Sequence, residues 1–372
     1  MDEQLLHYRI GLTLIKGIGN ALAKNLIAYV GSEEGIFREK AKRLALIPGI
    51  GQVLSTEIAN ADVLVRAEKE VQFIVKNKIN ALYFTEKNYP YRLKECTDAP
   101  ILIYTKGLCD VNAGKFIAIV GTRHATELGR EQCRALVREL SKNTKGAVIV
   151  SGMAYGVDIC AHKAALDCGL PTIAVLGHGL DRIYPQAHKS TVTQMLPEGL
   201  LLTEYRSGTN PDRQNFVQRN RVIAGLCDAT VVIESAERGG ALITAELAND
   251  YSRDVFAYPG RPTDNWSVGC NALIKYNKAS LIESASDLIR CMNWEQAQQQ
   301  TTFDGQTKLF VDLSEQEQDV LSLLRHQPDG LQLNEIALKL ETPVSKVSSM
   351  LLEMEFSGLV KCLPGSVYRV VK

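Results

Sequence analysis

Six short apolar runs alternate with helical stretches through the middle of the chain, and this alternation constrains the fold more than any other feature of the sequence. The runs are continuously apolar and each precedes a Gly, Ser, Pro or Glu loop: 116–120, 147–150, 172–176, 200–203, 230–233 and 255–258. Continuous hydrophobicity is typical of strands that are buried on both faces. We therefore predict an α/β domain over residues 79–293 that contains a doubly wound, mostly parallel sheet.

Before this domain, one short motif occurs twice within residues 1–78. In Leu14–Gly19 and in Leu46–Gly51, an apolar helix end meets Gly-Ile-Gly and a second helix follows. The apolar residues of the two second helices are Leu22 and Leu26, then Val53 and Ile58. The repeat resembles a helix-hairpin-helix or SAM-like helical domain, whose glycine turns hold DNA phosphate without reading sequence. Close packing of the helices is the alternative use of the glycines.

Residues 294–311 have the composition of a linker, because they are rich in glutamine and lack apolar periodicity. After them, Ser314 and Glu317 form a capping box that opens a helix. The remaining elements are a helix at 335–340, a helix from Thr342-Pro343 to Phe356, and a hairpin of 359–362 with 367–370 around Pro364-Gly365. Three helices and a hairpin predict a winged-helix domain over residues 312–372.

The charge balance excludes a broadly cationic DNA-coating protein. Forty-two Lys and Arg residues oppose forty-two Asp and Glu residues, so a site for a polyanion must be a local patch. Nine cysteines without a CxxC pair indicate free thiols in a reducing cytoplasm, and six histidines without a tight ligand pair argue against a metal. The sequence shows neither a signal-peptide pattern nor a membrane-spanning apolar run. We expect a cytoplasmic protein without a metal or another cofactor.

The first polar loop, Gly121-Thr122-Arg123, directly follows the run 116–120. Backbone N–H groups at the start of the next helix and a bidentate Arg123 would suit a phosphate. The dinucleotide fingerprint GxGxxG is absent after this strand, and Gly114-Lys115 does not complete a Walker A motif. A nicotinamide-dependent dehydrogenase and an ATP hydrolase are therefore not expected.

The second loop begins at Ser151-Gly152 and leads into a helix that contains His162. Serine and glycine allow the backbone to approach an anion closely, so both residues are candidates for phosphate contact. Asp158 is ambiguous, and the preference of Asp for helix starts favours a cap over ligand contact. His162 shares a helix face with Asp158, which leaves a Ser151, Asp158, His162 hydrolase as an alternative, although the GxSxG nucleophile elbow is missing.

The segment 206–221 is the local basic patch that a neutral chain would need, because it holds four arginines against a single acid. A helix at 100° per residue places Phe216, Arg219 and Asn220 on one side and directs Arg221 elsewhere. An aromatic ring beside a guanidinium and an amide is a platform for stacking an unpaired base while the phosphate is held. The alternative is that Phe216 belongs to the core and Arg219 to a structural ion pair.

The fourth loop, 234–244, is a further glycine-rich turn between a strand and a helix. Gly239 and Gly240 expose backbone N–H groups at a helix start, and Thr244 lies one turn later. These three residues are candidates for a second anion contact.

At these four loops the sequence closely resembles the DNA-processing protein A family, also called DprA or Smf. The matching motifs are IVGTR from Ile119, SGMAYGVD from Ser151, LGHGLDRIYP from Leu176, NFVQRNRVIAGL from Asn215, ESAERGGALITAE from Glu234 and GCNALI from Gly269. The motifs follow the order and spacing of the family. The helical domain before them and the winged helix after them match the longer family members.

The resemblance implies a Rossmann-like fold and a function in binding single-stranded DNA. Proteins of the family protect incoming DNA and load the RecA recombinase onto it in natural transformation, and they are not known for catalysis. They form dimers through the Rossmann-like domain. The implied partners are therefore single-stranded DNA, RecA and a second copy of the chain, with no role for a membrane.

The family's DNA-binding positions can be transferred to this sequence where the motifs match. They fall on Arg123, on Arg213 with Phe216, on the RNR motif Arg219-Asn220-Arg221, and on the phosphate-facing loop Ser151-Gly152. Gly239-Gly240 departs from the family, because many members have serine before the glycine. Backbone contacts survive that change, whereas a hydroxyl contact would be lost.

Two other functions stay open. The segment 238–246 also resembles the PGGxGTxxE loop of cytokinin-activating nucleoside-monophosphate phosphoribohydrolases, although the proline, the second glycine and the threonine align poorly. A nucleotide-sensing scaffold would use the same loops for a small ligand. In the winged helix, the third helix carries one cation, Lys346, against two acids, Glu353 and Glu355, so a protein-contact or structural role is favoured over DNA reading.

Overall fold

The computed structural model describes residues 2–295, 314–325, 327, 330–340, 342–357, 359–363 and 366–370. The chain divides into two compact units, Met1–Gln296 and Ala297–Lys372. The predicted domains 1–78 and 79–293 both lie within the first unit. Most of the predicted linker, from residue 296 onward, lies outside the described residues.

Six helices form the N-terminal region: α1 Glu3–Leu14, α2 Asn20–Val30, α3 Glu33–Arg38, α4 Ala41–Leu44, α5 Gln52–Ala59 and α6 Leu64–Lys76. The two repeated turns precede α2 and α5, and their glycines Gly17 and Gly49 have φ of 81° and 83°. A Cβ on Gly17 would lie 2.8 Å from Leu54 Cδ2, and a Cβ on Gly49 would lie 2.9 Å from Leu22 Cδ2. Each hairpin thus packs its glycine turn against the equivalent leucine of the other. Val53, predicted to pack here, is 77% exposed, because Leu54 takes that position.

Across residues 2–295, nine strands form one sheet: β1 Asn80–Tyr83, β2 Leu102–Gly107, β3 Lys115–Val120, β4 Ala147–Ser151, β5 Thr172–Val175, β6 Leu200–Thr203, β7 Ala229–Val232, β8 Asp254–Ala257 and β9 Ser280–Leu281. Their order is β1-β2-β6-β5-β4-β3-β7-β8-β9. β2 pairs antiparallel with β1 and β6, and the strands from β6 to β9 are parallel. The predicted α/β, Rossmann-like, mostly parallel sheet is confirmed, and the six apolar runs are β3 to β8.

Helices cover both faces of this sheet: α7 Tyr91–Lys94, α8 Glu127–Asn143, α9 Val157–Asp167, α10 Lys189–Met195, α11 Arg213–Leu226, α12 Gly240–Asp250, α13 Val268–Lys275 and α14 Ala285–Cys291. Alternate residues of β3 enter different cores. Phe116 packs with residues of α11 and α12, whereas Ile117 packs with residues of α8, α9 and α14. Burial on both faces explains the continuous hydrophobicity of the strands.

The second unit contains α15 Glu315–Arg325, β10 Leu331–Gln332, α16 Leu333–Lys339, α17 Val344–Phe356, β11 Val360–Leu363 and β12 Val367–Val370. The described strands form a sheet in the order β10-β12-β11, which confirms the winged helix. The predicted capping box is present, because Ser314 N donates to Glu317 Oε2 at 2.8 Å. Pro343 occupies the N-cap of α17. The predicted turn at Pro364-Gly365 lies outside the described residues.

Among the described residues, none of the helices combines the length and the apolar character needed to cross a membrane. The same residues contain no cluster of three or more His, Cys, Asp or Glu side chains that could hold a metal ion.

Candidate functional site

A cleft of about 760 Å³ opens at the carboxyl ends of β3 and β7, the neighbouring strands at which the sheet reverses its winding direction. Such a switch point is where doubly wound sheets place their ligands. We call it the strand-end cleft. Ten of the thirteen predicted site residues line it: Gly121, Thr122, Arg123, Arg213, Phe216, Arg219, Asn220, Gly239, Gly240 and Thr244.

The loop after β3 forms one wall of the cleft. A Cβ on Gly121 would lie 2.4 Å from Val157 Cγ2, so the absence of a side chain lets this loop rest on the start of α9. Thr122 N donates to Glu234 O at 2.8 Å, which ties the loop to the end of β7. The Thr122 amide is therefore already bonded, whereas Arg123 is exposed. Of the three residues, Arg123 has the side chain available to a phosphate.

The first half of α11 forms the opposite wall. Arg213 is exposed, and Phe216 is half-buried with its ring 5.7 Å from that of Tyr184. The Arg123 guanidinium lies 5.8 Å from the Phe216 ring centroid. Within the described part of the chain, neither Arg123 nor Arg213 donates a side-chain hydrogen bond or forms an ion pair. The Phe216 ring therefore lies beside the available Arg123 guanidinium, and Arg213 lies one helical turn before it on α11.

The second half of α11 forms the buried floor of the cleft. Arg219 is 4% exposed and its Nη1 donates to Gly152 O at 2.7 Å and to Val175 O. Burial lowers the pKa of Arg219 to about 10, and the nearby Asp158 carboxylate opposes that shift. Asn220 accepts from Arg219 Nε at 3.4 Å and donates to Gly240 O at 3.2 Å. These two side chains support the cleft through bonds to the loop after β4, the end of β5 and the start of α12.

Arg221 is not brought to the cleft. Its guanidinium donates to Asp98 O at 2.7 Å and to the Glu204 carboxylate. The side chains of Arg221 and Glu204 are 15% and 14% exposed. The helical periodicity correctly directed Arg221 away from Phe216, and an internal ion pair occupies it.

The loop after β4 does not present Ser151 and Gly152 to the cleft as predicted. Ser151 Oγ donates to Ile119 O at 2.7 Å, and both residues are buried. Gly152 directs its carbonyl to Arg219, and a Cβ at this position would lie 2.4 Å from Arg219 Nη2. The Asp158 carboxylate accepts from Ala154 N at 3.3 Å. The protein's own Asp158 and Arg219 therefore occupy the backbone N–H and C=O groups that this loop would otherwise offer to a ligand.

The geometry around Asp158 separates the alternatives for that loop. Gly156, rather than Asp158, is the N-cap of α9, and burial raises the pKa of Asp158 although Arg219 opposes the shift. His162 is fully buried, its Nδ1 lies 2.7 Å from Thr172 Oγ1, and burial lowers the pKa of His162 to about 3. Among the described residues no hydrogen bond joins Ser151 to His162, because Ser151 donates to Ile119 O and His162 lies against Thr172, so the Ser151, Asp158, His162 hydrolase is not assembled.

The loop after β7 lines the cleft with backbone. Gly239 is the N-cap of α12 without a side-chain cap, and Gly239 and Gly240 are both exposed. Thr244 is 2% exposed, and its hydroxyl donates to Gly240 O at 3.1 Å. Of the three predicted residues, Gly239 and Gly240 can therefore offer backbone amides to an anion, whereas the Thr244 hydroxyl is already bonded.

Sequence reasoning missed three residues of the cleft. Arg238 is exposed beside the two glycines, and His124 stacks on Trp266 with ring centroids 5.7 Å apart. The charge of Arg238 within the fourth loop was a signal that could have identified it. Trp266 comes from the segment after β8 and has no motif around it, so its place beside the loop after β3 depends on the folded chain.

Two family models match this chain. The model of the DNA recombination-mediator protein A family matches residues 80–293, and the model of the DprA winged-helix domain matches residues 310–366. The first match covers more than half of the chain and contains the whole strand-end cleft. The chain belongs to the DNA recombination-mediator protein A family. This membership explains why the motifs of the four loops occur together.

Relatives and solved structures agree with this membership. Protein Smf of Synechocystis is 31% identical to this chain, and the match covers 97% of this chain and 98% of the Synechocystis protein. DNA processing protein DprA of Streptococcus pneumoniae is 42% identical, and the match covers 54% of this chain and 70% of that protein. The Streptococcus pneumoniae DprA structure covers 76% of this family member and 97% of its own chain, with a TM-score of 0.66 and 33% identity. The structure of DNA processing protein A from Helicobacter pylori has a TM-score of 0.52 and 30% identity, and the match covers 58% of this chain and 96% of that chain. That structure is described as showing a single-stranded DNA binding mode.

Proposed function

We propose that this family member binds single-stranded DNA in the strand-end cleft and loads the RecA recombinase onto the strand, protecting incoming DNA in natural transformation. The observation that carries the proposal is the half-buried Phe216 ring, which lines the cleft beside the exposed Arg123 and one helical turn after the exposed Arg213. The single-stranded DNA binding mode of the Helicobacter pylori protein supports it. We further propose that the chain acts in the cytoplasm as a homodimer and is not an enzyme.

The preference for a single strand follows from the shape of the site. An unpaired base can leave its neighbours and stack on an aromatic ring, whereas the bases of a duplex are already stacked and paired. Arg123 and Arg213 would hold the flanking phosphates, and the amides of Gly239 and Gly240 would offer weaker contacts. Arg219 and Asn220 would act indirectly, by fixing the loops that they join.

Fluorescence anisotropy with labelled oligonucleotides tests the site. The parent should bind single strands more tightly than duplex, with affinity that falls as salt rises. Loss of two phosphate contacts in the double variant Arg123→Ala, Arg213→Ala should reduce the slope of log K against log salt by about 1.4. The charge-matched control is Arg138→Ala with Lys142→Ala, because both side chains are exposed on α8 away from the cleft. Parent-like binding by the Arg123, Arg213 variant would show that the site is misassigned.

The RecA step needs its own measurement. The rate at which RecA assembles on single-stranded DNA should rise when the parent is added and should not rise with the Arg123→Ala, Arg213→Ala variant. An unchanged RecA assembly rate with the DNA-binding parent would remove the loading role and leave strand binding intact.

The phosphoribohydrolase alternative is tested separately, because Glu246 lines the same cleft. In this structure Glu246 Oε1 pairs with Lys278 Nζ at 2.9 Å, so its carboxylate already has a partner. Incubation with AMP should leave the nucleotide intact. Release of adenine by the parent but not by Glu246→Gln would overturn the nonenzymatic proposal.

A further inference from the structure

A second basic surface lies between α8 and α9, on the far side of Arg123 from the strand-end cleft. A groove of about 440 Å³ is present here, and we call it the α8–α9 groove. The cations in its lining are Arg123, Arg130, Arg134 and Lys163. Among its described lining residues, Asp167 is the one carboxylate. In a chain of zero formal charge, this concentration of positive charge requires a separate explanation.

The groove and the strand-end cleft share a wall. Arg123 lines both, and the loop that carries it is fixed to the start of α9. Gly156 has a φ of 77°, and a Cβ there would lie 2.2 Å from Thr122 O. Val157 N also donates to Thr122 O at 3.2 Å. One rigid loop therefore connects the two sites, so a flexible chain that leaves the cleft past Arg123 enters the groove.

The cations of the groove can exchange their present partners for phosphate. Arg130 and Arg134 pair with Glu127 at 3.2 and 2.5 Å, and the three side chains are 42–64% exposed. Exposed ion pairs of this kind contribute about 0–1 kcal/mol, whereas a bidentate contact of arginine with phosphate is stronger. Within the described residues, Lys163 makes no side-chain hydrogen bond or ion pair.

The groove also offers an aromatic surface. Tyr155 is 51% exposed, and its ring lies edge-on to His188 with a centroid separation of 4.9 Å. This contact holds the Tyr155 side chain while about half of its surface stays exposed. An exposed ring beside several cations is the combination that binds single-stranded nucleic acid without sequence preference.

We propose that the α8–α9 groove binds the next phosphates of the same single strand whose bases occupy the strand-end cleft. This inference rests on the proposed function and adds a second contact region to it. The strand would run past Arg123, which would contact the phosphate between the two regions. The affinity gained when the DNA is longer than the strand-end cleft would then depend on three cations of the groove, Arg130, Arg134 and Lys163.

Oligonucleotide length separates the two regions. Oligo(dT) of about 5 nucleotides fits one site, and oligo(dT) of about 15 nucleotides can cover both. The triple variant Arg130→Gln, Arg134→Gln, Lys163→Gln should bind the short oligonucleotide like the parent. Its affinity for the long one should fall roughly 5- to 50-fold in 0.15 M salt, with a salt slope smaller by about 1 to 2, since Glu127 already neutralises part of the charge.

The charge-matched control Arg138→Gln, Lys142→Gln, Lys145→Gln removes the same three charges outside the groove and should keep parent affinity for both lengths. Parent-like binding of the long oligonucleotide by the Arg130, Arg134, Lys163 variant would overturn the groove, and so would equal weakening for both lengths. Even if either outcome overturns the groove, the proposed function stands as long as the Arg123→Ala, Arg213→Ala variant loses binding. If the parent binds neither oligonucleotide, both proposals fail.

A single variant covers the case in which the triple variant unfolds at a lower temperature than the parent. Lys163→Gln alone should reduce the salt slope for the long oligonucleotide by about 0.7.

Discussion

The two halves of α11 contain the same kinds of residues in different environments. In the first half, Arg213 is exposed and Phe216 is half-buried at the mouth of the strand-end cleft. In the second half, Arg219 and Arg221 bond to backbone carbonyls and carboxylates of the protein. Proximity to other elements, rather than local charge, decides which arginine remains available to DNA.

The difference has a physical origin in the packing of α11 on the sheet. Its second half runs between the loop after β4, the end of β5 and the start of α12, whose carbonyl groups lie within reach. A buried guanidinium must satisfy its donors, and these carbonyls accept from it. Its first half projects beyond the strand ends, where water and a ligand can compete for the same donors.

Replacement of Arg219 should give the largest effect on stability. Arg219→Met would leave the Gly152 and Val175 carbonyls without their buried donor and would remove the nearby cation that favours the charged Asp158 carboxyl, so we expect unfolding free energy to fall by about 3–5 kcal/mol. Chemical denaturation measures this loss. The matched variant Arg213→Met makes the same change six residues earlier, where exposure predicts an effect within about 0.5 kcal/mol. Equal stabilities of the two variants would contradict the structural role of Arg219.

A double variant strengthens that test. Adding Asp158→Asn to Arg219→Met removes the carboxyl that would be left without a cation, so part of the lost stability should return. If the two losses simply add, the interaction of Arg219 with Asp158 contributes little, and the backbone carbonyls account for the effect.

Replacement of Phe216 should give the next largest effect, and it acts on binding. Phe216→Ala removes one stacking surface, so affinity for single-stranded DNA should fall by about 1–3 kcal/mol, or roughly 5- to 150-fold. Phe216→Tyr keeps the ring and should bind like the parent. Anisotropy on protein shown to be folded by circular dichroism measures both. Unfolding of Phe216→Ala, with parent-like affinity for the folded fraction, would place the ring in the core instead.

Most of the sheet and the arrangement of side chains around α11 could be predicted from the sequence. Continuous apolar runs identified β3 to β8, and the helical period placed Phe216, Arg219 and Asn220 on one side of α11, away from Arg221. The strands β1, β2 and β9 were missed: β1 and β2 are antiparallel additions to one edge of the parallel sheet, and β9 has two residues at the other edge. Local pattern was informative for the parallel strands of the sheet interior, which are buried on both faces.

The depth of each polar side chain was not predictable. The pattern of Ser151 and Gly152 suits a phosphate loop, but the groups that occupy this loop, Asp158 and Arg219, come from α9 and α11. Trp266 reaches the cleft from a segment that follows another strand. Each case depends on contacts between elements distant in sequence, and these are fixed only when the sheet assembles.

The smallest expected effect gives the most direct comparison of the two halves. Arg213→Gln and Arg221→Gln remove the same charge from the same helix, eight residues apart. Loss of one phosphate contact should reduce the salt slope for Arg213→Gln by about 0.7, which corresponds to about fourfold weaker binding in 0.15 M salt. Arg221→Gln should keep the parent slope but unfold more easily, because the Glu204 carboxylate would remain largely buried without its cation. If Arg221→Gln reduced the slope as much as Arg213→Gln, then Arg221 would leave its ion pair to bind DNA, and the two halves of α11 would share one role.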